Sequence, residues 1–245
     1  MRNIKLIIEY DGTNYWGWQT QESFPSIQEE IEKALYRVTG EKTVLYGSGR
    51  TDAKVHALGH VANFRTESSI PGERFRFALN IELPEDIRVI SSQEVPMDFH
   101  ARFSATHKRY VYRIYNGEPE RPLLRNYTCH IKHPLDVELM REAAKYFIGT
   151  HDFRSFRGRR TSIKSSIRTI YSIEIEKKDE IIEIALEGNS FLRNMVRIIA
   201  GTLIEVGAGQ RCKEEIPEMI QDRDRRSAGR TAPAQGLFLE KVYYR

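Results

Sequence analysis

Apolar positions recur along this chain with two periods, and the switches between them lay out its elements. Ile4 to Tyr10 is rich in β-formers and stops at the turn pair Asp11-Gly12. Ser26 followed three residues later by Glu29 is a capping box, which predicts a helix carrying Ile27, Ile31, Ala34, Leu35 and Val38 on one face and closed by Gly40. Thr43 to Tyr46 reads as a strand entering the turn-rich loop Gly47-Ser48-Gly49-Arg50-Thr51-Asp52, and Leu58 to Phe64 as the strand after it. Pro71 to Leu83 reads as a helix stopped by Pro84, and Ile87 to Val95 as extended.

A long alternating strand, Thr106 to Tyr115, opens the second half, with Tyr110 and Tyr112 on one face and Val111 and Arg113 on the other. Asp136 predicts the cap of a helix running through Phe147 and Ile148 to Gly149. Ile167 to Ile175 and Ile181 to Leu186 are strands. Ser190 is the expected cap of a long helix with the apolar face Leu192, Met195, Val196, Ile199, Leu203 and Val206. A short helix around Ile216 to Ile220 and a strand from Leu237 to Tyr243 complete the chain. Strand, capped helix and further strands thus occur twice, so we divide the chain into α/β domains over 1–105 and 106–245.

Composition removes several classes. A chain of 245 residues buries an adequate core without a metal or disulfide staple. Two cysteines, Cys129 and Cys212, make neither a disulfide framework nor a four-thiolate zinc site, and are expected as small packing residues. No apolar run approaches the ~20 residues of a membrane span. Acids close to Met1 argue against a signal peptide, so a soluble, cytoplasmic protein with no membrane partner is expected.

Net charge is only +4, but its distribution is uneven. Phe99 to Gly117 holds Arg102, Lys108, Arg109 and Arg113, with His100 and His107, and no acid. Phe153 to Ile173 holds Arg154, Arg157, Arg159, Arg160, Lys164 and Arg168, again without an acid. Removing those ten from the 38 basic residues leaves 28 against 34 acids, an acidic body bearing two basic segments. Both segments contain aromatics: Phe99, Phe103, Tyr110, Tyr112 and Tyr115, then Phe153, Phe156 and Tyr171. Arginine beside exposed rings suits single-stranded or looped RNA, where guanidinium meets phosphate and bases stack.

Candidate chemistry centres on the loop ending in Asp52. It lacks the Gly-Lys-Ser/Thr ending of a nucleotide-binding P-loop. Spacing alone favours Asp52 as a local turn former over a reactive carboxylate. Asp52, His56 and His60 have a conceivable metal spacing, but Ala57 stands where the metalloprotease motif requires Glu. Arg193 and Arg197 share a helical face. Arg197 borders the apolar stripe, where a buried guanidinium would need a carboxylate partner.

Gly49-Arg50-Thr51-Asp52-Ala53-Lys54-Val55-His56-Ala57 resembles the signature of the tRNA pseudouridine synthases that modify the anticodon stem-loop, the TruA family. The likeness runs nearly end to end: Tyr10-Asp11-Gly12 with Gly17-Trp18-Gln19; Leu79-Asn80 and Leu83-Pro84; Asp98 through Thr106 with Arg109-Tyr110; Asp152-Phe153 with Ser155-Phe156-Arg157; Met195-Val196-Arg197; and Thr231-Ala232-Pro233-Ala234 with Gly236-Leu237. Lys54 departs from it, standing where the family usually has glycine. The resemblance implies two similar mixed-sheet domains flanked by helices, a central cleft, a homodimer and no cofactor or metal. It implies isomerisation of uridine to pseudouridine at positions 38, 39 and 40 of tRNA. Asp52 matches the family's nucleophile, Tyr110 its base-contacting tyrosine, Arg197 the arginine paired with the aspartate, and Arg50 the residue that helps expel the base. His100, Arg102, Arg109, Arg154, Arg157, Arg160 and Lys164 are the expected tRNA-binding residues. A non-catalytic RNA-binding protein on the same scaffold is the alternative.

Overall fold

The computed structural model describes residues 1–158 and 165–245. The chain forms two compact units, Met1–Thr106 with Phe238–Arg245, and His107–Leu237.

In the first unit β1 (Arg2–Tyr10) precedes α1 (Ile27–Thr39), β2 (Tyr46–Gly47), β3 (His56–Thr66), α2 (Phe75–Glu82) and β4 (Ile87–Val95). Strand β1 lies between β3 and β4, antiparallel to both, and β2 adds to β3. Ile4, Leu6 and Ile8 are wholly buried along β1, facing a core closed by Ile27, Ile31 and Leu35 of α1 and Phe75 and Leu79 of α2. The ends of α1 follow the sequence: the Ser26 side chain accepts from the Glu29 amide, and Gly40 takes the left-handed φ of 74°. Asn80 of α2 explains its place in the motif, its amide both donating to and accepting from the Val89 backbone of β4.

The expected strand at Thr43 to Tyr46 is reduced to Tyr46–Gly47. Glu32 accepts from the Leu45 amide and Gln28 donates to the Leu45 carbonyl, so side chains of α1 take the backbone groups a ladder would use. The helix expected from Pro71 begins as a 3₁₀ turn at Gly72–Arg74.

In the second unit β5 (Ala105–Tyr115), β6 (Cys129–His130), α3 (Val137–Ala144), β7 (Gly149–Asp152), β8 (Ile167–Lys178), β9 (Ile181–Gly188), α4 (Met195–Gly207) and α5 (Glu215–Asp222) follow in order. Antiparallel pairing runs β5-β9-β8-β7, with β6 parallel to β5. Helix α4 is buried on nearly every side, as its apolar sequence requires.

Two helix boundaries move. Asp136 caps α3 as expected, but the helix tightens into a 3₁₀ turn over Lys145–Phe147. Ser190 does not cap α4; Asn194 takes the N-cap position in a left-handed conformation with φ 61° and without a side-chain capping bond, after a turn closed by the Met195 amide on the Leu192 carbonyl. Cys129 is buried, whereas Cys212 is exposed rather than packed.

The last strand, β10 (Leu237–Tyr244), does not close the second unit as a boundary of 106–245 requires. Phe238 and Leu239 pair with His56 and Ala57 of β3, and the Tyr244 hydroxyl donates to the Ala101 carbonyl. These contacts count Phe238–Arg245 with the first unit. Among the described residues no helix is long and apolar enough to cross a membrane.

Candidate functional site

Asp52 sits half-buried between β2 and β3, on a loop that the N-terminal motif holds in shape. The Trp18 amide donates to the Thr51 carbonyl at 3.2 Å, and the Tyr10 hydroxyl lies 2.8 Å from Thr51 Oγ1. Gly17 has φ +103°, and a β-carbon there would lie 2.4 Å from the Thr51 carbonyl oxygen. A β-carbon on Gly12 would come within 2.1 Å of the Val55 oxygen. Tyr10-Asp11-Gly12 and Gly17-Trp18 are therefore the frame on which the Asp52 loop is cast, and their glycines are required by backbone proximity. Arg50, two residues before Asp52, is exposed.

The two histidines weighed as metal ligands serve this frame. His56 Nδ1 accepts from the Gly12 amide, lies 3.1 Å from Asp11 Oδ1, and its ring stacks on Phe238. His60 stacks on the Trp18 indole at 3.7 Å and 9°.

Lys54 occupies the left-handed region with φ 63°, its amide donating to the Tyr15 carbonyl. The side chain is exposed. Left-handed backbone disfavours a β-carbon by more than glycine loses in chain entropy. Lys54→Gly is expected to stabilise the protein by about 1 kcal/mol, raising Tm by about 2–4 °C. A Tm at or below that of the wild type would show that the lysine stem compensates for the strain.

In the second unit Tyr110 lies on β5, 8% exposed, with its ring edge-on to Phe191 at 5.2 Å. Its neighbour on the same face, Tyr112, is fully buried, and its hydroxyl donates to the Pro233 carbonyl. Arg197, in the first turn of α4, is half-buried. Within its unit it donates from Nε to the Ala232 carbonyl at 2.7 Å and from Nη1 to Asn194 Oδ1 at 3.1 Å. The Ala232 amide in turn donates to the Arg197 carbonyl. Ala232 and Asn194 thus hold this guanidinium, and burial pushes the neighbouring Tyr112 phenol far above its ordinary range.

The basic segments divide by environment. Arg102 and Phe103 are exposed, the guanidinium lying over the ring, and Phe103 and Tyr46 flank the His100 imidazole at 4.4 and 5.2 Å. Desolvation, with the like charges of Arg102 and Arg65, lowers the His100 pKa, so at pH 7 it offers a neutral ring rather than a cation. Arg109 donates to Glu174 and Glu187, and Arg113 to Glu183, across the strands β8 and β9. Most of the aromatics expected to stack bases are core instead: Tyr112, Tyr115, Phe153 and Phe156 are buried, while Phe103 and Tyr171 are 75% and 52% exposed. Arg154 is exposed near Asp152 and Arg157 is half-buried. Arg160 and Lys164 lie outside the described residues.

Sequence reasoning missed a third basic group, Arg225, Arg226 and Arg230, which lines a cavity beside α4. The interleaved acids Asp222 and Asp224 hide it from a search for acid-free stretches.

A family model described as tRNA pseudouridine synthase matches residues 6–104 and 143–245. Curated relatives named tRNA pseudouridine synthase A align over all of this chain and all of their own length. Those of Acetivibrio thermocellus, Thermoanaerobacter pseudethanolicus and Ruminiclostridium cellulolyticum are 56%, 50% and 51% identical to it.

Proposed function

The chain belongs to the tRNA pseudouridine synthase family, and from that premise we propose that Asp52 is the nucleophile with which it isomerises uridine to pseudouridine at positions 38, 39 and 40 of the anticodon stem-loop. The observation that supports this most directly is the framing of the Asp52 loop by Tyr10, Gly12, Gly17 and Trp18, which gives the motif's distant pieces one shared purpose.

The reaction breaks the bond from ribose C1′ to uracil N1 and forms one from C1′ to C5. The C5 hydrogen leaves as a proton and N1 gains one, so atoms and electrons balance without an oxidant or group carrier. A carboxylate adding to C1′ or to C6 divides this exchange into two easier steps. The target base must first leave its stack, at a cost of a few kcal/mol. Arg50, exposed beside the nucleophile, fills the vacated space. Tyr110 offers a ring to the extruded uracil, and Arg197 is the cation that favours an ionised carboxylate.

Backbone phosphates are gripped by Arg102, Arg154 and Arg157 together with Arg160 and Lys164, and His100 contributes a stacking ring within its aromatic cluster. Arg109, already neutralised by two carboxylates, adds less. Phosphate contacts position an RNA without reading its sequence, which suits an enzyme acting at adjacent sites in many tRNAs. The functional form is a homodimer in the cytoplasm.

The test is release of tritium from tRNA carrying C5-labelled uridine, in EDTA, with the product positions mapped by primer extension. Release with stops at 38 to 40 is expected. Modification elsewhere in the tRNA would overturn the site assignment, and absence of release would overturn the reaction.

A further inference from the structure

A cavity of about 350 Å³ opens beside the N-terminal end of α4, lined by Asn194, Arg225, Arg226, Arg230 and Thr231 with small residues between them. Its walls are fixed. The Arg225 guanidinium donates to the Ala228 carbonyl and to Thr231 Oγ1, folding the 225–231 loop on itself. That loop is pinned to α4: the Gly229 amide donates to Thr202 Oγ1, and the Arg230 amide to Glu205 Oε1. Gly201 admits it, since a β-carbon there would lie 1.9 Å from the Arg230 carbonyl oxygen.

The cavity is cationic. Arg226 pairs through Nε and Nη2 with Asp224. The exposed Arg230 guanidinium has no hydrogen bond or ion pair among the described residues. The positive end of α4 adds to the field. Among the described residues no aromatic side chain lines the cavity, so it suits a phosphate rather than a stacked base. It also adjoins Arg197, because Asn194 on its wall accepts from that guanidinium and Thr231 precedes Ala232, whose carbonyl does the same.

We propose that this cavity seats one backbone phosphate of the tRNA substrate, with Arg230 as its principal ligand. The assignment rests on the tRNA-modifying reading above. It fixes one point of the RNA strand a hydrogen bond away from Arg197, so register as well as affinity is set there.

Phosphate-ethylation interference on tRNA, read with wild type, Arg230→Ala and Arg230→Lys, tests this. One ethylated phosphate is expected to weaken wild-type binding about tenfold. Arg230→Ala is expected to bind unmodified tRNA about tenfold more weakly, with a salt slope shallower by about one, and to ignore ethylation at that phosphate. The lysine variant falls between, keeping charge without the fork. Lys178→Ala, which removes an exposed charge at the far end of β8, sets the baseline. Identical interference patterns in wild type and Arg230→Ala overturn the proposal, as does a loss no larger than that of Lys178→Ala. Calorimetric binding of inorganic phosphate that depends on Arg230 while the interference pattern does not would assign the cavity to a free anion, and likewise overturns it. Failure of the wild type to bind or modify tRNA overturns the functional reading instead, and this assignment with it.

Discussion

Asp52→Asn is expected to lower tritium release from labelled tRNA by about 10⁴-fold or more, leaving tRNA affinity within about threefold of wild type. Carboxylate and carboxamide have nearly the same shape, and the loop is held through its neighbour Thr51. Trp18 bonds to the Thr51 carbonyl and Tyr10 to the Thr51 hydroxyl, so the loop keeps its form in the variant. What disappears is the nucleophile: an amide oxygen is neutral, and its lone pairs are delocalised. Loss of one negative charge facing a polyanion does not weaken binding, which separates chemistry from recognition. The release assay is run in EDTA beside an equilibrium binding titration. Residual turnover above about 1% of wild type would place the nucleophile elsewhere, and a matching loss of binding would make Asp52 a structural residue.

Much of the fold is legible locally. Ser26 and Gly40 terminate α1 as their chemistry dictates, and β4 spans Ile87–Val95 as its pattern predicts. What escapes depends on partners distant in sequence. The Thr43 to Tyr46 strand fails because Gln28 and Glu32 of α1 capture Leu45, and the start of α4 shifts because Asn194, not Ser190, adopts the left-handed turn. The same limit governs the site. Arg109 and Arg113 look uncompensated along the chain, yet the register of β5 on β9 sets Glu187 and Glu183 opposite them. The arginines of the 225–231 loop look neutralised by neighbouring acids, yet Arg225, Arg226 and Arg230 line one cavity. Asp52 is visible through its motif, but the reason for the motif is visible only when Gly12 and Gly17 meet the backbone beside it.

Gly17→Ala tests that reason. Its φ of +103° disfavours any side chain, and the added carbon would lie 2.4 Å from the Thr51 oxygen and 3.1 Å from the Asp52 carbonyl carbon. The neighbouring atoms are backbone, so relief requires the Asp52 loop to move rather than a side chain to rotate. A loss of about 2–4 kcal/mol in stability is expected. Displacement of the carboxylate by about 1 Å would lower turnover by about 10²-fold beyond what the folded fraction explains. Gly40→Ala is the control: its φ is +74°, but nothing lies within 4 Å of the added carbon. That variant pays the conformational penalty alone, about 1 kcal/mol, and keeps wild-type turnover per folded molecule. Thermal denaturation followed by label release at a temperature where all three proteins are folded separates the two effects. Equal turnover in Gly17→Ala and Gly40→Ala would mean that the Trp18 turn supports the sheet but does not position Asp52. A deficit confined to Gly17→Ala, with tRNA binding intact, would show that the N-terminal motif positions the reactive carboxylate.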